Sequence, residues 1–361
     1  MTRKKHTVNS SIAKNGRRWV IWLFCFSVLI PIAGSNAVKI ASSRLRVKHE
    51  IECYIPYVSN LSIDKKNTNV THLIIAIHSL NHNAYMVFNS CQELLAEYNK
   101  LKDNILILAP QFLRKKHLGE NSDDKLLYWK VSPFWGSSIS TTESFEGDLR
   151  ISAYNILEDI IAEFCERKIF PNLTRITILG HSAGGQLVNR FAASNTVEFK
   201  KARPKKISIK YIVMNPSSYI YFSPKRAVDY SAGDFDVPSN AQIDDNPGYN
   251  NYGYGLNKLY SFHRRKGLTP EKIRELYPQR NVVYLLGQKD RIADSSMSKH
   301  PSAMMQGRNR LERGKIYFAH LIDEFGAEIE KNQKLRVVEG VGHWGKGMIL
   351  SAPGRLAIFL R

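Results

Sequence analysis

The chain is poor in acid, poor in cysteine and nearly free of long apolar runs. Its 32 Asp and Glu face 52 Lys and Arg, which leaves a net charge of +20. Such an excess suits anionic surfaces, membrane or nucleic acid, but does not select a fold. The basic residues are scattered among apolar runs, and there is no zinc-ligand spacing, RNP motif or basic helix. Those absences argue against nucleic acid as a partner and leave an anionic membrane surface. The four cysteines are Cys25, Cys53, Cys91 and Cys165, none of them in a C-x-x-C pair. That excludes a disulfide scaffold and a thioredoxin-type redox site; one bridge is possible, none is required, and a structural role is expected. No internal repeat is found. With 361 residues and 43% hydrophobic content, the chain can bury one large core with a small insertion.

One long apolar run does exist, at residues 19–34 (WVIWLFCFSVLIPIAG), behind six basic residues and no acid. Ser35-Asn36-Ala37 follows with small residues where a signal peptidase reads. A charged start, a short apolar stretch and a small-x-small end make residues 1–37 a signal peptide, with an uncleaved N-terminal anchor as the alternative. Either implies export, and the domain proper is then 38–361. Without residues 1–37 the charge is still +14. Asn60, Asn69 and Asn172 head N-x-S/T triplets, acceptors for glycan in a secreted chain.

Apolar patterning predicts strands alternating with helices. First strands fall within 38–62, where Leu45, Val47, Ile51, Cys53 and Ile55 alternate with polar partners; 63–70 is a turn. Further strands are expected at 72–78 (HLIIAIH), 104–109 (NILILA), 174–179, 211–214, 282–286 and 335–338. Helices are expected from an Asn83 cap to Tyr98, over 148–166, at Pro270–Leu276, over most of 303–330 and over 345–360. Two stretches, 110–148 and 216–260, lack periodicity but are rich in aromatics, including Tyr128, Trp129, Phe134, Trp135, Tyr219, Tyr221, Tyr230, Tyr249, Tyr252 and Tyr254. They are expected to be insertions forming an acyl pocket and its cover. The alternation implies an α/β fold, a mostly parallel sheet with helices on both faces.

The chemistry centres on residues 174–194, TRITILGHSAGGQLVNRFAAS. A β-branched apolar run stops at Gly180-His181-Ser182-Ala183-Gly184-Gly185, after which Leu187, Val188, Phe191 and Ala192 recur at helical spacing. Strand, sharp turn and helix with a serine at the apex is the context a G-x-S-x-G elbow needs. The glycines let strand and helix approach closely. A serine hydroxyl needs a base, a carboxylate to orient that base, and N–H donors for the oxyanion. His343 is the expected base: it follows the strand LRVVEGVG among Gly340, Gly342 and Gly345, whereas His181 lies inside the elbow and His320 inside a helix. Asp290, after the strand VVYLLG, is the expected acid; Asp294, four residues on in the loop GQKDRIAD, is the competitor. Asp323 and Glu324 stand in reserve. The backbone N–H of Ala183 supplies one oxyanion donor and that of Leu80, with Ser79 next, the other. Gly340-Val341-Gly342-His343-Trp344-Gly345 also matches G-x-G-x-x-G. A dinucleotide site would need a βαβ unit and an acid about 20 residues on, and the 16 residues after Gly345 contain no acid.

GHSAGGQ, Asp290 at a strand end and GVGHWGKGM together resemble the α/β-hydrolase superfamily over about residues 70–360. More narrowly, IHSLNHNA, LAPQF, FPNLTRITILGHSAGGQLVNRFA and VMNPSSY are similar to a group of exported bacterial and fungal hydrolases. The family's oxyanion loop usually reads His-Gly, where this chain has His78-Ser79. The resemblance implies the order nucleophile, acid, base, here Ser182, Asp290 and His343. It also implies ester, thioester or amide substrates, and no cofactor or metal. The expected activity is therefore that of an exported serine hydrolase cleaving a small-molecule or polymer carboxylic ester through an acyl-enzyme. An amidase or peptidase on the same triad, or a non-catalytic envelope binding protein on this fold, are the alternatives.

Overall fold

The structure, a computed structural model, describes residues 38–119, 123–135, 140–145, 147–228 and 234–359. The signal-or-anchor segment 1–37 and Tyr230 lie outside them.

Eight strands form the central sheet: β1 (Ser43–Arg46), β2 (Tyr54–Ser59), β3 (His72–Ile77), β4 (Ile105–Pro110), β5 (Arg175–His181), β6 (Ser208–Met214), β7 (Asn281–Gly287) and β8 (Gln333–Val338). They lie side by side in the order β1-β2-β4-β3-β5-β6-β7-β8. β1 and β2 run antiparallel to their neighbours, and every pairing from β4 to β8 is parallel. HLIIAI and ILILAP are buried at every position, as a strand covered on both faces must be. The strand period divides the core. Leu73, Ile75 and Ile77 join α2 (Ala153–Cys165) and α3 (Ala183–Ser194) on one face. Ile74 and Ala76 join α1 (Ala84–Ala96) and the C-terminal helices on the other.

Helix boundaries follow local chemistry. Asn83 caps α1 by accepting from the Tyr85 N–H, and Ser152 caps α2 through Asn155; such caps satisfy amides that have no intrahelical partner. Four expectations shift. α2 begins at Ala153, not at residue 148. α1 stops at Ala96, not Tyr98. The span 303–330 is broken into Pro301–Met304, α4 (Arg310–Phe325) and a 3₁₀ turn at Ala327–Lys331. Gly307 and Gly326 interrupt it at φ +134° and +77°, values that side-chain-bearing residues rarely adopt. The last helix is two, α5 (Gly345–Leu350) and α6 (Ala352–Phe359). Pro353 has no N–H to continue α5, and the Ser351 hydroxyl instead caps α6 by accepting from Gly354 N–H at 3.0 Å.

The two insertions carry small sheets of their own. The first carries a small three-stranded sheet of Leu113–Arg114, Tyr128–Trp129 and Ser140–Thr141; the second carries Arg226–Ala227 paired with Phe235–Asp236. The aromatics described in both are turned inward. Tyr128, Trp129, Phe134, Tyr219, Tyr221, Tyr249, Tyr252 and Tyr254 are all buried, and most join the main core. Tyr219 stacks on Tyr317 of α4 with ring centres 4.3 Å apart, and Tyr252 bonds to Tyr154 of α2 at 2.7 Å. These insertions complete the core, because a large aromatic gains more from burial than from rimming a wet cleft.

Cys53, Cys91 and Cys165 are free and buried. Burial pushes their thiols to about 11, 12 and 11, consistent with packing roles. Of the three sequon asparagines, Asn60 is tied into the sheet. It accepts from Ile107 N–H at 2.7 Å and donates to Ile105 O at 2.9 Å, so its amide nitrogen is already engaged.

Candidate active site

Ser182 sits between β5 and α3 at φ +57° and ψ −120°, a strained region for a residue bearing Cβ. Two backbone hydrogen bonds and two glycine contacts hold it there. Ser182 N–H donates to Met214 O at 2.9 Å, and Gln186 N–H returns to Ser182 O at 3.0 Å. A Cβ on Gly184 would lie 2.6 and 2.7 Å from the carbonyl oxygens of Ile77 and His78, and one on Gly180 would lie 2.5 Å from Gly184 backbone. Only glycine permits that packing of β5, α3 and the end of β3. The Ser182 amide is thus consumed by β6, and Ala183 follows as the first residue of α3.

The expected partners converge. His343 Nε2 stands 3.0 Å from Ser182 Oγ, and His343 Nδ1 stands 2.7 Å from Asp290 Oδ2. An ionised carboxylate only accepts, so Nδ1 carries the proton toward Asp290 and Nε2 accepts from the serine hydroxyl. Ser182 and Asp290 are buried at 4% and 3% exposure, and the His343 side chain is 20% exposed. Acid and base loops are tied together by their backbones: Gln288 N–H donates to Val338 O at 2.9 Å and Lys289 N–H to Val341 O at 2.8 Å. The Cβ of a residue replacing Gly287 would meet Gly342 O at 2.6 Å.

Asp294 does not reach the imidazole. Its carboxylate takes two bonds from Arg310, at 3.0 and 3.1 Å, and others from Ser296 and Met297. The Arg310 guanidinium holds this carboxyl far below the usual carboxylate range. The reserve acids are occupied elsewhere, Asp323 with Lys225 at 3.1 Å and Glu324 with Arg274 at 2.6 Å. His320 is buried and accepts from Phe222 N–H at 3.1 Å.

Two residues at the site were not singled out in the sequence. Asn215, the last letter of IKYIVMN, sits just past β6 at φ +43°. Its Oδ1 accepts from Gly287 N–H at 2.8 Å and its Nδ2 donates to Gly342 O at 3.4 Å. It thereby joins the nucleophile strand's neighbour to both partner loops, and its position at a strand end was the available signal. Arg310 is the other.

His181 lies against His343 with ring centres 4.5 Å apart. Burial, then the neighbouring His343 and Arg310, pushes it well below the ordinary histidine value. It is a neutral wall, not a second base.

After β3 the chain passes His78, Ser79 and Leu80. His78 Nδ1 donates to Ser79 O at 2.9 Å while Nε2 accepts from Phe112 N–H at 2.9 Å. His82 Nδ1 donates to Phe112 O at 2.7 Å. Burial lowers these histidines to about 3 and 4, so both are neutral and pin the loop to the strand-end segment after β4. Ser79 is not among the positive-φ residues, so serine replaces the family's glycine there without backbone strain. Leu80 is half exposed at the crest of this loop.

A surface cavity of about 460 Å³ lies elsewhere, between β1 and α2, lined by Arg46, Val47, Ile156, Ile160 and Phe164 among others. None of Ser182, Asp290 and His343 borders it. Among the described residues no cluster of His, Cys, Asp or Glu is suited to a metal ion.

This strand order around a serine elbow is the α/β-hydrolase fold. The chain is similar in structure to poly(aspartic acid) hydrolase-1 from Sphingomonas sp. KT-1, with a TM-score of 0.55 and 18% identity over 86% of this chain and 96% of that one. It is also similar to LpqC, the poly(3-hydroxybutyrate) depolymerase of Bordetella parapertussis, with a TM-score of 0.53 and 17% identity over 85% of this chain and 88% of that one. No family model matches the chain, and no curated relative matches it.

Proposed function

We propose that this chain is a serine hydrolase of carboxylic esters. The observation that carries the reading is the relay from Ser182 Oγ through His343 to Asp290, at 3.0 and 2.7 Å, on a strained elbow. Ser182 Oγ attacks the ester carbonyl carbon and its proton passes to His343 Nε2. The N–H groups of Ala183 and Leu80 receive the oxyanion. His343 then gives the proton to the departing alkoxide, and water repeats the sequence on the acyl-enzyme. Asp290 orients the imidazole and balances its charge while it is protonated. Three loops around Ser182 expose a large apolar side chain: Leu80 after β3, Ile292 two residues past Asp290 and Trp344 next to His343. Exposed apolar surface of this kind favours a substrate with an apolar acyl or alcohol portion.

A second reading, cleavage of an anionic polymer amide, draws on the basic surface and on the named activity of the Sphingomonas neighbour. A fluorophosphonate probe and a substrate panel divide the readings. Ser182 is expected to take the label, and p-nitrophenyl esters of short and medium chains to be cleaved faster than the matching anilides. Preferential cleavage of poly(aspartic acid) favours the amide reading. An unlabelled, inert protein leaves a non-catalytic binding protein on this fold.

We also propose export, from the charged and apolar pattern of residues 1–37. Among the described residues no helix is long and apolar enough to cross a membrane. Sequencing the exported protein should find Val38 first; Met1 on membrane-bound material would show an anchor instead.

A further inference from the structure

We propose that Arg310 is a positioning residue for the triad acid and that Asp294 is the counter-ion that keeps it in place. The inference rests on the Ser182–His343–Asp290 reading above and deepens it. Arg310 is the first residue of α4 and is fully buried, yet it is a full charge. Its Nη1 donates to Asp290 Oδ1 at 3.3 Å and to Asp294 Oδ2 at 3.1 Å; its Nη2 donates to Asp294 Oδ1 at 3.0 Å and to Ser296 Oγ at 2.8 Å. The next amide of the helix, Leu311 N–H, donates to the Asp290 carbonyl at 3.2 Å. The helix start therefore grips Asp290 by both its backbone and its side chain.

The division of bonds has a purpose in charge terms. A buried guanidinium paired with Asp290 alone would cancel the charge that must balance an imidazolium. Here the forked, shorter pair goes to Asp294, and Asp290 receives a single longer bond. Two carboxylates and one guanidinium leave a net charge of −1 behind His343. Asp290 Oδ1 is restrained while Oδ2 remains aimed at His343 Nδ1 at 2.7 Å. Asp294 can serve because its own side chain reaches solvent, at 37% exposure, and is further held by Ser296 and Met297 amides. Planarity matters: lysine cannot bridge two carboxylates as a fork does.

The test compares R310M, R310K and wild type by steady-state kinetics, by the rate of fluorophosphonate labelling at Ser182, and by the downfield ¹H resonance of the His343–Asp290 hydrogen bond. Loss of a group that orients a reacting residue costs about 10–100-fold. R310M is expected to lower kcat and the labelling rate by that factor with KM nearly unchanged, and to shift or broaden the downfield resonance. R310K should recover part of the rate. It retains the charge in the cavity, so it carries the test even where R310M does not fold. Wild-type labelling and an unmoved resonance in folded R310K or R310M would overturn the proposal while leaving the triad standing. A wild-type protein that never labels at Ser182 would instead overturn the triad reading itself.

Discussion

Ser182→Ala is expected to abolish turnover and fluorophosphonate labelling while leaving the fold intact. Removing a serine nucleophile costs on the order of 10⁶ in kcat. The change should be close to neutral for stability. Alanine and serine share the same Cβ, so the elbow's strain at φ +57° is equal for both. The hydrogen bond from Ser182 Oγ to His343 is part of the relay, and the backbone bonds to Met214 and Gln186 remain. Circular dichroism and thermal melting provide the folding control. Turnover near the wild-type rate in a folded Ser182→Ala protein would end the hydrolase proposal.

Asp290→Asn should be the next most damaging change, at about 10⁴-fold in kcat, because an amide facing Nδ1 favours the wrong imidazole tautomer. It leaves Arg310 paired with Asp294, so no buried charge is stranded and the protein is expected to fold. Asp294→Asn acts differently. It frees one edge of the guanidinium and lets the whole positive charge fall on Asp290, and the expected loss is only about tenfold. Kinetics on the two purified variants test the contrast. A nearly normal Asp290→Asn beside a crippled Asp294→Asn would reverse the assignment of the acid. Equal small losses would mean that the orienting group is neither.

Much of the architecture was legible because it is periodic. HLIIAIH and NILILA are continuous apolar runs that only a doubly covered strand satisfies, and β3 and β4 lie within one residue of where those runs stand. Capping chemistry is equally local, as Asn83 shows. The elbow could be read from neighbours in sequence, since its glycines, serine and following helix are contiguous. The His343 position followed from a glycine-rich strand end.

Sequence ranked Asp290 above Asp294 only by nearness to the strand end; the contacts that separate the two were beyond it. Asp290 and Asp294 belong to one loop and are chemically equal; their separation arises because Gly287 and Val341 bring the acid and base loops together at Asp290, while α4 returns Arg310 to take Asp294. The packing of the aromatic insertions was out of reach for a related reason. Aperiodic, Tyr-rich sequence is compatible with a wet pocket or with a core, and only the proximity of α4 and α2 turns Tyr219 and Tyr252 inward. The sequence by itself determined the strands and the strand-turn-helix at Ser182, because hydrophobic period and glycine spacing act over a few residues. Tertiary structure alone decided that Asp294 turns to Arg310, that Asn215 and Arg310 stand behind the site, and where the aromatics went. Those depend on contacts between elements 20 to more than 100 residues apart, which no local pattern encodes.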